Sequence, residues 1–281
     1  TGRARLEPLT PPSGVGSGSP PPVRPADLVA KVRATGLAAV QLHLDPLRTG
    51  QWSEIETVNR LNAAGIRVLS GMIGMAGEDY TTLETIMHTG GVRLDADWQE
   101  NLAASHASAA MAQRLGLKLV TFHAGFIPHD AHDPVRAIMI ERLRAVIDAF
   151  DARGIRVAFE TGQESADTLT EALTALQRPH AGVNFDPANM ILYAMGDPVA
   201  ALRKLSPRVV QVHIKDALPT ATPGTWGSEV RAGSGAVDFR AFFAVMREKE
   251  LAVNLLIERE AGESRIADVS HAATQIASWI K

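Results

Sequence analysis

The chain has 281 residues, 46% hydrophobic and 21% charged, with no cysteine and a net charge of −3 from 28 basic and 31 acidic side chains. That composition fits a soluble globular protein and excludes disulfide scaffolds, cysteine-held metals, thiol nucleophiles and the basic footprint of a nucleic-acid or anionic-membrane binder. No uncharged apolar run approaches the roughly 20 residues of a membrane span, and any metal must rest on His, Asp and Glu.

The length allows two average domains, but α/β barrels of roughly 250 residues commonly form one. The first 25 residues carry seven Pro, four Gly and three Ser, and Pro11–Pro22 reads as a loop or linker. This segment lacks a signal-peptide pattern, although a start at Thr leaves a processed leader open. The cysteine count fits the cytoplasm. The expected organisation is a leading segment over 1–24 with a weak first strand at Arg3–Leu6, then one catalytic domain over 25–281.

From Pro25 a single rhythm repeats: an amphipathic helix, a turn, a short apolar strand. Helix Ala26–Ala34 leads to strand Ala38–Leu44, Ser53–Ala64 to Ile66–Ile73, and Asp97–Leu115 to Leu117–His123. Helix Pro134–Ala152 leads to strand Ile155–Glu160, Ser165–Leu176 to Ala181–Asp186, and Pro198–Leu205 to Val209–Lys215. The last unit joins Phe239–Glu248 to Ala252–Glu258 and closes with Ile266–Ile280. Gly marks many helix ends, as in AAG-IRV and RLG-LKL. Such alternation implies right-handed crossovers and a parallel sheet, and seven or eight units predict a single-domain α/β protein, a (β/α)₈ TIM barrel. Neither a dinucleotide glycine fingerprint nor a P-loop is present.

In such a barrel the working face lies at the carboxyl ends of the strands. Six strands end in His43, His123, Glu160, Asp186, His213 and Glu258, whereas the GMIGM strand offers no ionisable group. Side chains alternate along a strand, so Gln41, Thr121, Ala158, Asn184, Gln211 and Leu256 share the inward face with those termini. Five of these six are small or polar, whereas the intervening Phe159, Phe185, Val212 and Ile257 suit packing under helices. Parity therefore aims Glu160, Asp186, His213 and Glu258 into the barrel mouth. Three carboxylates and an imidazole repel one another or shift their pKa values unless a cation joins them. The donor set predicts one divalent ion, with Mn²⁺, Mg²⁺ or Co²⁺ favoured over Zn²⁺. His88, His106, His180 and His271 read as structural, and His129 and His132 as parts of an exposed turn.

The segments FHAG (122–125), FETGQE (159–164), NFDPANM (184–190), VHIKDA (212–217), GSGAVDF (233–239) and LIERE (256–260) occur here in order. With them the chain resembles the xylose-isomerase-like TIM barrels, a group of sugar-phosphate isomerases and epimerases that also holds inosose dehydratases and apurinic-site endonucleases. The resemblance implies that Glu160, Asp186, His213 and Glu258 bind one divalent metal and that Glu160 and Glu258 form the catalytic acid/base pair. It implies proton abstraction beside a carbonyl, through an enediolate, on a sugar, sugar phosphate or related polyol. Dehydration of a keto-inositol or elimination from a 3-keto sugar is the alternative.

Two departures bear on the substrate. Asn189 stands where the sugar epimerases usually carry His, and Gln41 or His43 replaces the usual second-strand Glu. His43, His123, Asn189, Lys215, Arg231 and Trp226 are the expected substrate contacts, the last two in a long connection (Leu218–Gly235) that could act as a lid. A nuclease is disfavoured by the net charge and by SEVRAGSG, which lacks the Asp-x-His of that branch. The expected partner is a small carbohydrate, with no nucleic acid and no membrane; a homo-oligomer fits the family, though no apolar stripe demands one.

Overall fold

The computed structural model describes residues 5–8 and 24–280. In chain order the strands are β1 (Arg5–Pro8), β2 (Ala39–His43), β3 (Arg67–Met72), β4 (Leu119–Phe122), β5 (Arg156–Glu160), β6 (Gly182–Phe185), β7 (Val209–Ile214), β8 (Asp216–Leu218), β9 (Ser228–Val230) and β10 (Asn254–Ile257). Eight form one parallel sheet ordered β1-β10-β7-β6-β5-β4-β3-β2, while β8 and β9 pair as a separate antiparallel hairpin. The outer strands β1 and β2 lie side by side, so the sheet curls into a TIM barrel. Of the expected first strand Arg3–Leu6, Arg5 and Leu6 lie in β1, which runs on to Pro8, and residues 3 and 4 lie outside the described residues.

Helices α1 (Pro25–Thr35), α2 (Asp45–Arg48), α3 (Glu54–Ala64), α4 (Leu83–Thr89), α5 (Trp98–Arg114), α6 (Pro134–Asp151), α7 (Ala166–Ala175), α8 (Pro187–Leu192), α9 (Pro198–Leu205), α10 (Phe239–Glu248) and α11 (Arg265–Trp279) fill the connections. Their starts are written in the sequence. Ser53, Asp133, Ser165, Asp197 and Asp238 each accept a backbone N–H from the first turn of the following helix, which satisfies a donor that has no partner inside the helix.

Strand alternation divides the core into two layers. Phe122, Phe159, Phe185, Val212 and Ile257 face the helices and are essentially inaccessible, each such side chain contributing about 1.5–3 kcal/mol by leaving water. Phe122 and Phe159 meet edge-on across β4 and β5, with centroids 5.4 Å apart. The inward layer is polar and internally paired. Gln41 Nε2 donates to Thr121 Oγ1 at 2.7 Å, Ser70 Oγ to Gln211 Oε1 at 2.7 Å, and Gln211 Nε2 to Asn184 Oδ1 at 3.1 Å. A barrel interior of amides and hydroxyls has desolvated groups to satisfy, and this network does so.

Four elements escaped the sequence reading. α2, α4 and α8 are too short to show a helical period, and the expected lid Leu218–Gly235 is largely the β8–β9 hairpin. Asp216 accounts for the hairpin: its buried carboxylate accepts N–H groups from Ala217, Gly233, Gly235 and Val237 and pulls the returning chain back to the end of β7.

Candidate functional site

The strand ends converge as parity requires. Glu160 closes β5, Asp186 follows β6, His213 lies near the end of β7 and Glu258 follows β10; all four are buried. One donor atom from each falls within 4.8 Å of the others. His213 Nδ1 stands 3.4 Å from Glu160 Oε1, 3.6 Å from Asp186 Oδ2 and 3.2 Å from Glu258 Oε2. Neither His213 Nδ1 nor Asp186 Oδ2 meets a hydrogen-bond partner among the described residues.

Those two orphaned atoms are what a cation site needs. The other nitrogen of the His213 ring, Nε2, stands 3.1 Å from Gln41 Oε1 and 2.8 Å from Asn184 Nδ2. In the tautomer with its proton on Nε2 given to Gln41, the Nδ1 lone pair is aimed at the carboxylates, the usual support for a ligating histidine. Asp186 divides its oxygens. Oδ1 caps α8 by accepting N–H groups from Ala188 at 2.8 Å and Asn189 at 3.0 Å, which leaves Oδ2 for the centre. The Asp-Pro pair, a cap followed by Pro at the first helical position, is the local signal for this helix.

α8 brings Asn189 into the site. Its Nδ2 donates to Glu160 Oε1 at 3.0 Å and its Oδ1 accepts from Lys215 Nζ at 3.2 Å. The β5–α7 turn passes so close that a Cβ on Gly162 would lie 2.4 Å from Asn189 Cβ, and φ there is +137°, so glycine is required. Lys215, 2% exposed, donates to Glu258 Oε2 at 3.2 Å and Glu260 Oε2 at 2.5 Å. It lies behind the cavity wall, tied to these carboxylates rather than to its neighbour Asp216.

Charge and burial oppose each other here. Burial alone would raise Glu160, but His213, His123 and Lys215 outweigh it and hold the carboxyl at about 2. Burial likewise lowers His213 and Lys215, yet the surrounding carboxylates hold both well above their ordinary values. Glu260 is raised by burial, a push that Lys215 opposes and Glu258 reinforces. Glu160, Asp186, Glu258 and Glu260 outnumber the one fixed cation, Lys215, so the donor set fits a divalent ion.

A cavity of about 670 Å³ opens above this floor. His43, His123, Asn189 and Trp226 line it. His123 Nε2 stands 3.6 Å from Glu160 Oε1 and its Nδ1 has no partner among the described residues. Arg231 does not line it: β9 ends at Val230, opposite Asp216, and the next side chain is exposed. The sequence reading missed Asp45, Glu78, Tyr80, Tyr193 and Glu260 among the lining groups. Glu260 was within reach, since it shares strand parity with Glu258. The others lie in loops and short helices that carry no period.

A parallel barrel with a carboxylate–imidazole cluster at the carboxyl ends of its strands defines a class of barrel with an enzyme-type mouth. Residues 29–281 match the xylose isomerase-like TIM barrel family, and the chain belongs to it. It is 26% identical over 207 residues to the uncharacterised protein YihM of Escherichia coli (strain K12), which covers 72% of this chain and 63% of that protein. It is also 26% identical over 179 residues to an inosose dehydratase of Geobacillus kaustophilus (strain HTA426), covering 59% of this chain and 46% of that protein. The matched stretch thus spans under two thirds of either curated relative. The crystal structure of a xylose isomerase domain protein from Planctomyces limnophilus superposes with a TM-score of 0.85 at 28% identity, covering 98% of this chain and 96% of that one.

Proposed function

We propose that the chain is a divalent-metal-dependent isomerase or epimerase of a sugar, sugar phosphate or related polyol. The observation that carries this reading is the buried quartet Glu160, Asp186, His213 and Glu258 with two orphaned donor atoms turned inward. These four residues hold the ion, and their hard donors favour Mn²⁺, Mg²⁺ or Co²⁺ over Zn²⁺. A bound ion supplies polarisation of the substrate carbonyl and stabilisation of negative charge on its oxygen. One of Glu160 and Glu258 takes the proton from the carbon beside the carbonyl, and the other returns one to the opposite face or the adjacent carbon. Asn189 and Lys215 fix the two glutamates in position, and His43, His123 and Trp226 bound the substrate. Cytoplasmic location and a homo-oligomeric state belong to the same reading; no helix among the described residues is long and apolar enough to cross a membrane.

A second reading, dehydration of a keto-inositol or elimination from a 3-keto sugar, is favoured by the similarity to an inosose dehydratase. It shares the proton-abstraction step and differs in the loss of a β-hydroxyl. Metal analysis of protein purified without chelator, followed by NMR in D₂O with ketoses, inososes and 3-keto glucosides, tests both. Solvent deuterium in an isomeric product supports the first reading, and loss of water supports the second. Substoichiometric metal with no gain in thermal stability on adding Mn²⁺ sinks the metal-enzyme reading. With the ion at a thousandfold excess over its Kd, the expected stabilisation is about 4 kcal/mol, or roughly 8 °C for a chain of this size.

A further inference from the structure

We propose that the floor of the cavity is one subsite of two, and that the substrate is an unphosphorylated glycoside or disaccharide whose second ring lies between Trp226 and the His43–Asp45–Arg48 wall. This inference rests on the reading of the metal centre given above.

Size is the first observation. A hexose of twelve heavy atoms, packed as protein interiors are, fills only about a third of a cavity of about 670 Å³. The position of the empty space is the second. The four metal-type ligands sit on or just after the neighbouring strands β5, β6, β7 and β10, behind His123, Asn189 and Glu260, which line the cavity where it meets them. From there the cavity continues across the mouth to the loops after β2 and β3.

That far wall is built for hydroxyl groups. Asp45 Oδ2 accepts from His43 Nε2 at 2.9 Å and from the Gly74 N–H at 2.9 Å, while Oδ1 accepts from Arg48 Nε at 3.2 Å and Nη2 at 3.1 Å. Asp45 is thereby consumed. His43 Nδ1 and Arg48 Nη1 are left with no hydrogen-bond partner among the described residues, on two side chains that line the cavity. A fixed guanidinium N–H and an imidazole nitrogen together offer a donor and an acceptor to vicinal hydroxyls, which are both themselves.

The roof supplies an apolar complement. Trp226 stands edge-on to Tyr193, with centroids 5.0 Å apart at 62°, and Tyr193 stands edge-on to Phe126 at 5.5 Å. The Gly227 N–H donates to Leu192 O at 3.2 Å, which seats the tip of the hairpin on the end of α8. Trp226 remains half-buried, and the C–H face of a pyranose carries the positive edge that an aromatic face attracts.

No cation in this space is free for a phosphate. Asp45 holds Arg48, the one Lys or Arg among the residues lining the cavity, while Glu229 and Glu260 are paired with Arg259 and Lys215, which do not line it, so a dianion finds no unpaired cation there. A neutral ring needs none.

The test is calorimetric titration of the full chain after Mn²⁺ loading, with Mn²⁺ uptake measured first. The probes are D-fructose, fructose 6-phosphate and three disaccharides that keep a ketose end: turanose, maltulose and isomaltulose. At least one disaccharide is expected to bind about tenfold more tightly than D-fructose, and fructose 6-phosphate no more tightly than D-fructose. Trp226→Ala and Arg48→Ala should each reduce that ratio below about threefold, and Trp226→Phe should keep most of it. Mn²⁺ uptake by each variant serves as the check that it is folded. Three disaccharides no tighter than D-fructose, or a tighter phosphate, overturn the inference, as does a ratio unmoved by Trp226→Ala. No sugar binding by a protein that takes up Mn²⁺ overturns the second subsite. Failure to take up Mn²⁺ overturns the metal centre and this inference with it.

Discussion

Replacing Gln41 by Leu separates a support for the proposed metal centre from a mere filler of the barrel interior. Gln41 is inaccessible, and its Oε1 stands 3.1 Å from His213 Nε2 while its Nε2 donates to Thr121 at 2.7 Å. Leu fills most of the volume but accepts no proton from the imidazole, and the Thr121 hydroxyl loses an internal partner. A buried polar group left unpaired costs about 1–3 kcal/mol, so the metal-free variant should lose about that much stability to urea. Removing the acceptor behind a ligating histidine typically weakens metal binding 10–100-fold, or about 1.4–2.7 kcal/mol. Mn²⁺ titration should show that loss, and Gln41→Glu, which restores an oxygen acceptor, should recover part of it. Mn²⁺ affinity unchanged to within about twofold, with stability reduced as expected, would falsify the role assigned to the Gln41–His213 pair.

Two further outcomes follow from buried charge. Lys215→Met removes the ammonium shared by Glu258, Glu260 and Asn189, and breaking so buried a pair should cost about 3–5 kcal/mol. Urea denaturation in the presence of chelator reads this directly, and an unmoved midpoint refutes the balance of charge described for the site. Glu164, 2% exposed, has an Oε1 without a partner, and burial raises its carboxyl to about 8. The folded state therefore holds this proton where the unfolded chain releases it, so the stability contribution is complete below about pH 4.5 and fades as pH climbs to about 8. Glu164→Gln should match the wild type near pH 5 and exceed it by several kcal/mol near pH 8; parallel stability profiles for the two proteins would overturn the assignment.

The sequence disclosed the centre because two simple periods met there. Period-two alternation in QVHIKD and VAFETG fixes which residues look inward, and the end of each apolar run marks the carboxyl edge of the barrel. The convergence of Glu160, Asp186, His213 and Glu258 needed nothing more. The rim was opaque for the opposite reason. Tyr80 and Glu78 sit in an irregular loop, Tyr193 immediately after a six-residue helix, and Asp45 in a single helical turn. Their positions depend on contacts distant in sequence, such as the carboxylate of Asp216 drawing in Gly233 and Gly235. Arg231 illustrates the cost of reading such a segment by composition. A basic residue in a glycine-rich loop suggests an anion contact, whereas hairpin pairing leaves its side chain exposed to solvent.

Asp186 has a consequence for how this centre tolerates change. One oxygen begins a helix while the other is offered to the metal position, so the two tasks share a single rotamer. Lengthening the side chain to Glu keeps the charge but moves both oxygens by a methylene, and no single torsion restores both. Asn keeps an oxygen for the cap and places a donor where an acceptor belongs. The helix begun by Asp186 carries Asn189 against Glu160 and, through Leu192, seats the tryptophan hairpin above the cavity. A fault in one carboxylate thus propagates from the metal position to the roof. Any effect of substituting it therefore measures a whole wall of the mouth rather than one carboxylate.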